Sequence, residues 1–114
     1  MWLNPGTGTD EGYLGVADVL VQFESPAAAF EKYEAPGYLN STADPARCSM
    51  MVLGLKTGAA GMRAAVSRIR SFGCGWVLVL DSATTYTSAH VPSFWQQEAE
   101  AVGHARQASE AIVS

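Results

Sequence analysis

The sequence predicts an α/β protein built on a parallel sheet of about four strands, with helices packed outside it. Three observations carry that expectation. Short runs of β-branched and apolar residues alternate with stretches of helical periodicity, the rhythm of parallel βα units. The last such run, Gly75 to Asp81 (GWVLVLD), is nearly all apolar, as a strand covered on both faces requires. Two of the runs end on carboxylates, Glu24 and Asp81, at the end where parallel sheets gather their ligand sites. Right-handed crossovers place the helices outside the sheet. Four such units make half of an eight-stranded barrel, and a small open parallel sheet is the competing architecture.

Taken in order, the first strand is short, Trp2 to Asn4, and a glycine-rich loop follows it. Asp10 to Val16 reads as a short helical turn. Asp18 to Glu24 (DVLVQFE) is the second strand. Pro26 to Tyr33 (PAAAFEKY) reads as a short helix, with Pro in the first turn and alanines behind it. Ser49 to Leu55 (SMMVLGL) is the third strand. Over Ala59 to Phe72, Met62, Val66 and Ile69 recur at helical spacing opposite Arg63 and Arg70, and Gly73 supplies the stop. Gly75 to Asp81 is the fourth strand. Ser93 to Val113 is the longest helix, with Ser93 as its N-cap, Glu98 and Glu100 on its outer side, and Gly103 as a point of kink or break.

Composition narrows the function. The chain has 114 residues, enough for one domain of modest size. Hydrophobic residues make up 48% and charged residues 16%, the balance of a folded chain rather than a disordered one. No apolar run is long enough to span a bilayer, and Met1 leads directly into strand-like sequence without a signal-peptide pattern. With seven Lys and Arg and a net charge of −4, there is no basic stripe for nucleic acid. Arg63, Arg68 and Arg70 read as a solvated helix face. No phosphate loop, dinucleotide fingerprint or zinc spacing is present, so no cofactor and no metal is expected. Cys48 and Cys74 lie just before two successive apolar strands. If those strands are parallel neighbours in register, the Cα atoms stand about 5 Å apart, within disulfide range. A bridge and two buried thiols both fit.

Alternation along the second strand sets Val19, Val21 and Phe23 on one face and Leu20, Gln22 and Glu24 on the other. The second face turns polar toward its C-terminal end. In the fourth strand Val77 and Val79 share a face with Asp81, and the polar loop SATTYTSAH after it suits a substrate rim. Asn4, followed by Pro5, Gly6 and Thr7, ends the first strand in a third polar group. Three strand ends therefore carry Asn4, Glu24 and Asp81. Capping of a following helix, or simply facing water, is the competing role for the acidic pair. His90 falls in a loop, within reach of a ligand, and His104 on a helix surface.

NPGT closing a strand, then DEGYLGVADVLVQFE, then GWVLVLDSA with VPSFWQQ beyond it, resembles the C-terminal half of the spherulin-4-like (spherulation-specific family 4) proteins. The resemblance covers almost the whole chain and rests on the ordered set of three motifs. It implies a (β/α)8 barrel, of which residues 1–114 are the C-terminal half and the N-terminal half is absent. It also implies a glycoside hydrolase that cleaves α-1,4-linked N-acetylgalactosamine polymers, in a family whose members are often secreted or held at the cell surface. By motif, Glu24 matches the family's acidic residue implicated in catalysis, Asn4 and Asp81 match polar positions around the cleft, and Trp95 matches the aromatic of the terminal motif. The expected partner is thus a polysaccharide, bound by Asn4, Asp81 and Trp95 around catalytic Glu24.

Glycosidases ordinarily use two carboxyl groups. The family's adjacent Asp-Glu pair, which closes an earlier strand, has no counterpart here; Asp10-Glu11 follows the NPGT loop and reads as favourable charge at a helix N-terminus. Ser82 stands where many relatives carry a second Asp. Three expectations follow. The chain is a piece of a hydrolase that is inactive alone; or it is a non-catalytic half-barrel that binds sugar or self-associates through open sheet edges; or it is a truncated product with no independent activity.

Overall fold

The computed structural model describes residues 1–5, 11–39, 44–82 and 91–103. Four strands form one sheet in the order β1-β2-β3-β4, every neighbouring pair parallel. They are β1 (Trp2–Leu3), β2 (Val19–Pro26), β3 (Cys48–Leu53) and β4 (Trp76–Val79). Helices α1 (Ala27–Glu31) and α2 (Gly58–Ser71) follow β2 and β3. Residues 95–103 begin α3. Short 3-10 turns at Glu11–Gly15 and Pro45–Arg47 lead into β2 and β3. This is the expected α/β architecture: strands in chain order, all parallel, and helices outside, as in half of a (β/α)8 barrel.

One layer of side chains joins sheet and helices. Met62, Val66 and Ile69 of α2 are buried against Met50 and Val52 of β3, Val79 of β4, and Phe23 and Phe30. Each such side chain contributes roughly 1.5–3 kcal/mol when fully withdrawn from water. Gly73 ends α2 with φ +90°, a left-handed conformation that favours glycine. Gly75 has a different reason: a Cβ there would meet the Pro45 carbonyl oxygen at 2.7 Å. Its N–H donates to that same oxygen at 2.8 Å, which holds the entry to β4 against the entry to β3. Cys48 and Cys74 flank this junction. They are joined in a disulfide with Cα atoms 4.6 Å apart, within bridging range although the ladder that sets Ser49 opposite Trp76 leaves Cys74 one residue out of register with Cys48.

The structure departs from simple expectation at several points, each with a local cause. Pro26 belongs to the end of β2 and stands at the N-cap of α1. Arg68 and Arg70 are not on a solvated face. Arg68 donates to the carbonyl oxygens of Phe30 and, at 2.6 Å, Tyr33, and its guanidinium lies 4.6 Å from the Phe30 ring centre. Arg70 donates to Val102 of α3 at 3.3 Å. Both arginines reach main-chain carbonyls of neighbouring elements, which a planar multi-donor group satisfies well. Arg63 alone of the three is exposed.

Ser93 is not the cap of α3. The Glu98 N–H donates to the Phe94 carbonyl oxygen at 2.8 Å, which makes Phe94 the capping position, and Phe94 is itself anchored in the core. One turn on from that anchor, Glu98 faces inward and is 3% exposed, not outward as expected.

Candidate functional site

The C-terminal ends of β1 and β2 place two polar groups together. The Asn4 side-chain amide Nδ2 donates to Glu24 Oε2 at 2.5 Å. A β-bulge explains how Glu24 comes to face Asn4. Leu20 pairs with Cys48 and Val21 with Ser49, yet Phe23 pairs with Met50, so Gln22 is an extra residue in β2. Cys48 and Met50 share a face of β3, and so Leu20 and Phe23 share the corresponding face of β2. That face packs under the helices.

The opposite, open face carries Val19, Val21 and Glu24. The expected grouping of Leu20, Gln22 and Glu24 is therefore broken at the bulge. Gln22 is buried and its amide donates to the Tyr38 hydroxyl at 2.8 Å, away from the rim. A strict period of two hid this, because one inserted residue reverses the parity of everything after it.

Across the sheet, Glu24 pairs with Met51, and Met51 with Leu78. The carboxylate thus stands beside an apolar row at the C-terminal rim. Nearer the opposite end of the strands, Trp2 pairs with Val19, and Trp76 with Ser49 on the same face. Their indole centroids lie 5.2 Å apart at 64°. Since β1 and β4 are separated by two strands, roughly 14 Å in a flat sheet, both rings lean over the middle strands. Val19, Val21 and Ser49 are buried beneath them.

Asp81 is placed differently. Val77 and Val79 pack into the helix-side core, and Asp81 follows them by alternation. Its carboxylate Oδ2 accepts from the Ser93 N–H at 3.1 Å, just ahead of α3, and its carbonyl accepts from Lys56 Nζ at 2.5 Å. The first contact ties Asp81 to the segment one residue ahead of the Phe94 cap of α3. Trp95 is in the first turn of α3 with its indole exposed. The structure thus brings Asn4 and Glu24 together, while Asp81 turns to α3. Asp10, His90, His104 and nearly all of the SATTYTSAH loop lie outside the described residues.

Two groups important to this region gave little sequence signal. Arg47 donates to the carbonyl oxygens of Leu14 and, at 3.0 Å, Ala17, and so pins the segment that delivers β2. Glu98 Oε1 accepts from the Val79 N–H of β4 at 2.6 Å, and its Oε2 has no hydrogen-bond partner among the described residues. Burial pushes the Glu98 carboxyl up to about 7, against the lowering effect of that backbone bond. Among the described residues no group of His, Cys, Asp and Glu is arranged to hold a metal ion, and no helix is long and apolar enough to cross a membrane.

A parallel sheet with helices on one face and a polar pair at its C-terminal rim defines a protein of the (β/α)-barrel class. The model of spherulation-specific family 4 matches residues 1–102, and the chain belongs to that family. Its fold matches the crystal structure of Aspergillus clavatus Sph3 in complex with GalNAc at a TM-score of 0.71 and 20% identity. The match covers 89% of this chain and 41% of the Sph3 chain, so this chain spans less than half the length of that relative. No curated protein sequence matches the chain.

Proposed function

We propose that the rim formed by Asn4 and Glu24 is a carbohydrate site for an N-acetylgalactosamine-containing polysaccharide, and that Glu24 is one carboxyl group of a glycoside hydrolase centre. The observation that carries this reading is the Asn4–Glu24 hydrogen bond at the C-terminal rim of parallel strands. Family membership and the GalNAc bound by Sph3 support the sugar class. In this reading Asn4 orients the Glu24 carboxylate, Met51 and Leu78 give the apolar face of a sugar ring a surface to lie on, and exposed Trp95 adds an aromatic face. Asp81 acts through α3, as a positioning residue.

Hydrolysis of a glycosidic bond needs a general acid together with a nucleophile or base. Glu24 supplies one of these roles; the second comes from outside the Asn4–Glu24 pair. Calorimetric titration of the chain with an α-1,4-linked GalNAc oligosaccharide tests the reading. Binding that falls about tenfold or more in Glu24→Ala is expected, the loss of one charge-assisted hydrogen bond. Binding unchanged in that variant contradicts it. A non-catalytic sugar-binding role is the second reading, favoured by the engagement of Asp81 with α3; it predicts the same binding without turnover.

A further inference from the structure

We infer that Trp2 and Trp76 form an aromatic floor directly beneath the Asn4–Glu24 rim, and that this floor selects sugars of galacto configuration by the C–H face they lay on it.

The strand registers fix where the two indoles stand. On the open face Asn4 follows Trp2 along β1, Glu24 follows Val21 along β2, Met51 follows Ser49 along β3, and Leu78 follows Trp76 along β4. Val21, Ser49 and Trp76 lie in one row across the sheet, and Glu24, Met51 and Leu78 in the next toward the mouth. The bulge adds Gln22 between Val21 and Glu24 but no step to the ladder. Two steps of strand, roughly 6.6 Å, separate the rows. One pyranose ring fits between the indoles and the level of the Glu24 carboxylate. This order belongs to β1–β4 themselves and holds whatever else the sheet pairs with.

The rings are held in place. Their centroids lie 5.2 Å apart at 64°, with the contact spanning from β1 to β4. Val21 and Ser49 beneath them are buried, while Trp2 and Trp76 are 54% and 47% exposed. The Trp76 indole N–H donates to the Ala46 carbonyl oxygen at 2.7 Å. Ala46 lies in the turn ahead of β3, so the polar edge of that indole is turned toward the N-terminal end of the strands, away from Glu24. Its carbon surface is left for the rim.

Such a floor distinguishes sugars by shape. A galacto ring carries its fourth-position oxygen axially on one face, so the C–H groups around it gather on the other as a continuous apolar patch. The gluco epimer, with that oxygen equatorial, divides its C–H groups between both faces. Laid with its patch on the indoles, a galacto ring buries apolar surface and keeps its polar substituents toward Asn4 and Glu24. The inference deepens the reading of the rim as a GalNAc site and rests on it.

Calorimetric titration of the 114-residue chain with α-1,4-linked oligosaccharides of GalNAc and of its gluco epimer, GlcNAc, tests the floor. The wild type is expected to prefer the GalNAc chain. Trp2→Ala and Trp76→Leu are expected to weaken GalNAc binding roughly tenfold and to bring the two affinities toward parity, with unchanged circular dichroism. Trp76→Leu keeps apolar bulk in β4, so its loss reads the ring rather than the fold. In Trp95→Phe, where Trp2 and Trp76 are the only tryptophans, emission is expected to shift to the blue and to saturate with the binding isotherm. Affinity and preference unchanged in both floor variants, emission unmoved at saturation, or a wild type with equal affinity for the two sugars each overturns the inference. A loss of binding in Glu24→Ala alongside any of these leaves the reading of Glu24 standing. A wild type that binds neither oligosaccharide overturns both.

Discussion

Glu98 carries a carboxyl group into the core with one hydrogen-bond donor among the described residues for its two oxygens. Its value of about 7 in the native chain lies above the ordinary 4.5. Between those values the native state holds a proton that the unfolded state has released. Stability therefore falls as pH rises through that window and levels off above it. Glu98→Gln keeps an acceptor for Val79 and cannot ionise. Urea unfolding at pH 5 and pH 8 is expected to show a loss for the wild type on the order of 1–3 kcal/mol that the variant lacks; equal losses in both would contradict the assignment. At the rim, Asn4→Asp replaces the donor by a second carboxylate beside Glu24. The variant's unfolding temperature is expected to fall between pH 4 and pH 7 by more than the wild type's, because two adjacent carboxylates then ionise; a fall equal to the wild type's would speak against the contact. Glu24 was legible as a strand-terminal carboxylate on a mostly apolar strand. Glu98 was harder to see, although its place one helical turn after Phe94 and one before Val102 puts it on the apolar stripe. A charge on such a stripe is ordinarily read as the edge of the solvated side.

At the scale of elements, β2 separates what alternation reveals from what it conceals. The apolar run from Val19 to Phe23 announced a strand, and its carboxylate end announced a rim. The bulge at Gln22 was invisible, because the extra residue is a buried polar side chain in a sequence that alternates acceptably without it. Deleting Gln22 leaves Val21 and Phe23 opposite Ser49 and Met50 in unbroken register, with Glu24 still on the open face. The deletion is expected to cost no more than about 1–2 kcal/mol, the Gln22–Tyr38 hydrogen bond. If strict alternation governed instead, the deletion would turn Glu24 under the helices and unfold the chain. Denaturant midpoints for the two proteins distinguish these. The core helix α2 was the most legible element, since Met62, Val66 and Ile69 declare its buried face. The carbonyl partners of Arg68 and Arg70 depend on how α1 and α3 pack against α2, which no local pattern states.

At the scale of the whole molecule, the parallel sheet and its outer helices followed from the βα rhythm, and the ordered motifs pointed to spherulation-specific family 4. The Cys48–Cys74 bridge was one of two open possibilities; the Gly75–Pro45 contact that joins the entries to β3 and β4 leaves the Cα atoms 4.6 Å apart, and the bridge forms. Reduction opens a constraint between residues 26 apart in sequence and is expected to lower unfolding stability by about 3–4 kcal/mol. Denaturation with and without reductant measures this, and no difference would mean the bridge does not constrain the unfolded chain. What reaches furthest, though, is the meeting of Asn4 and Glu24 at the C-terminal rim. Titration of isotopically labelled protein with N-acetylgalactosamine, followed by nuclear magnetic resonance, addresses it directly. The side-chain amide of Asn4 and the backbone amides around Glu24 and Met51 are expected to shift together and saturate. Shifts confined to other surfaces, with Asn4 and Glu24 unmoved at saturation, would contradict the account.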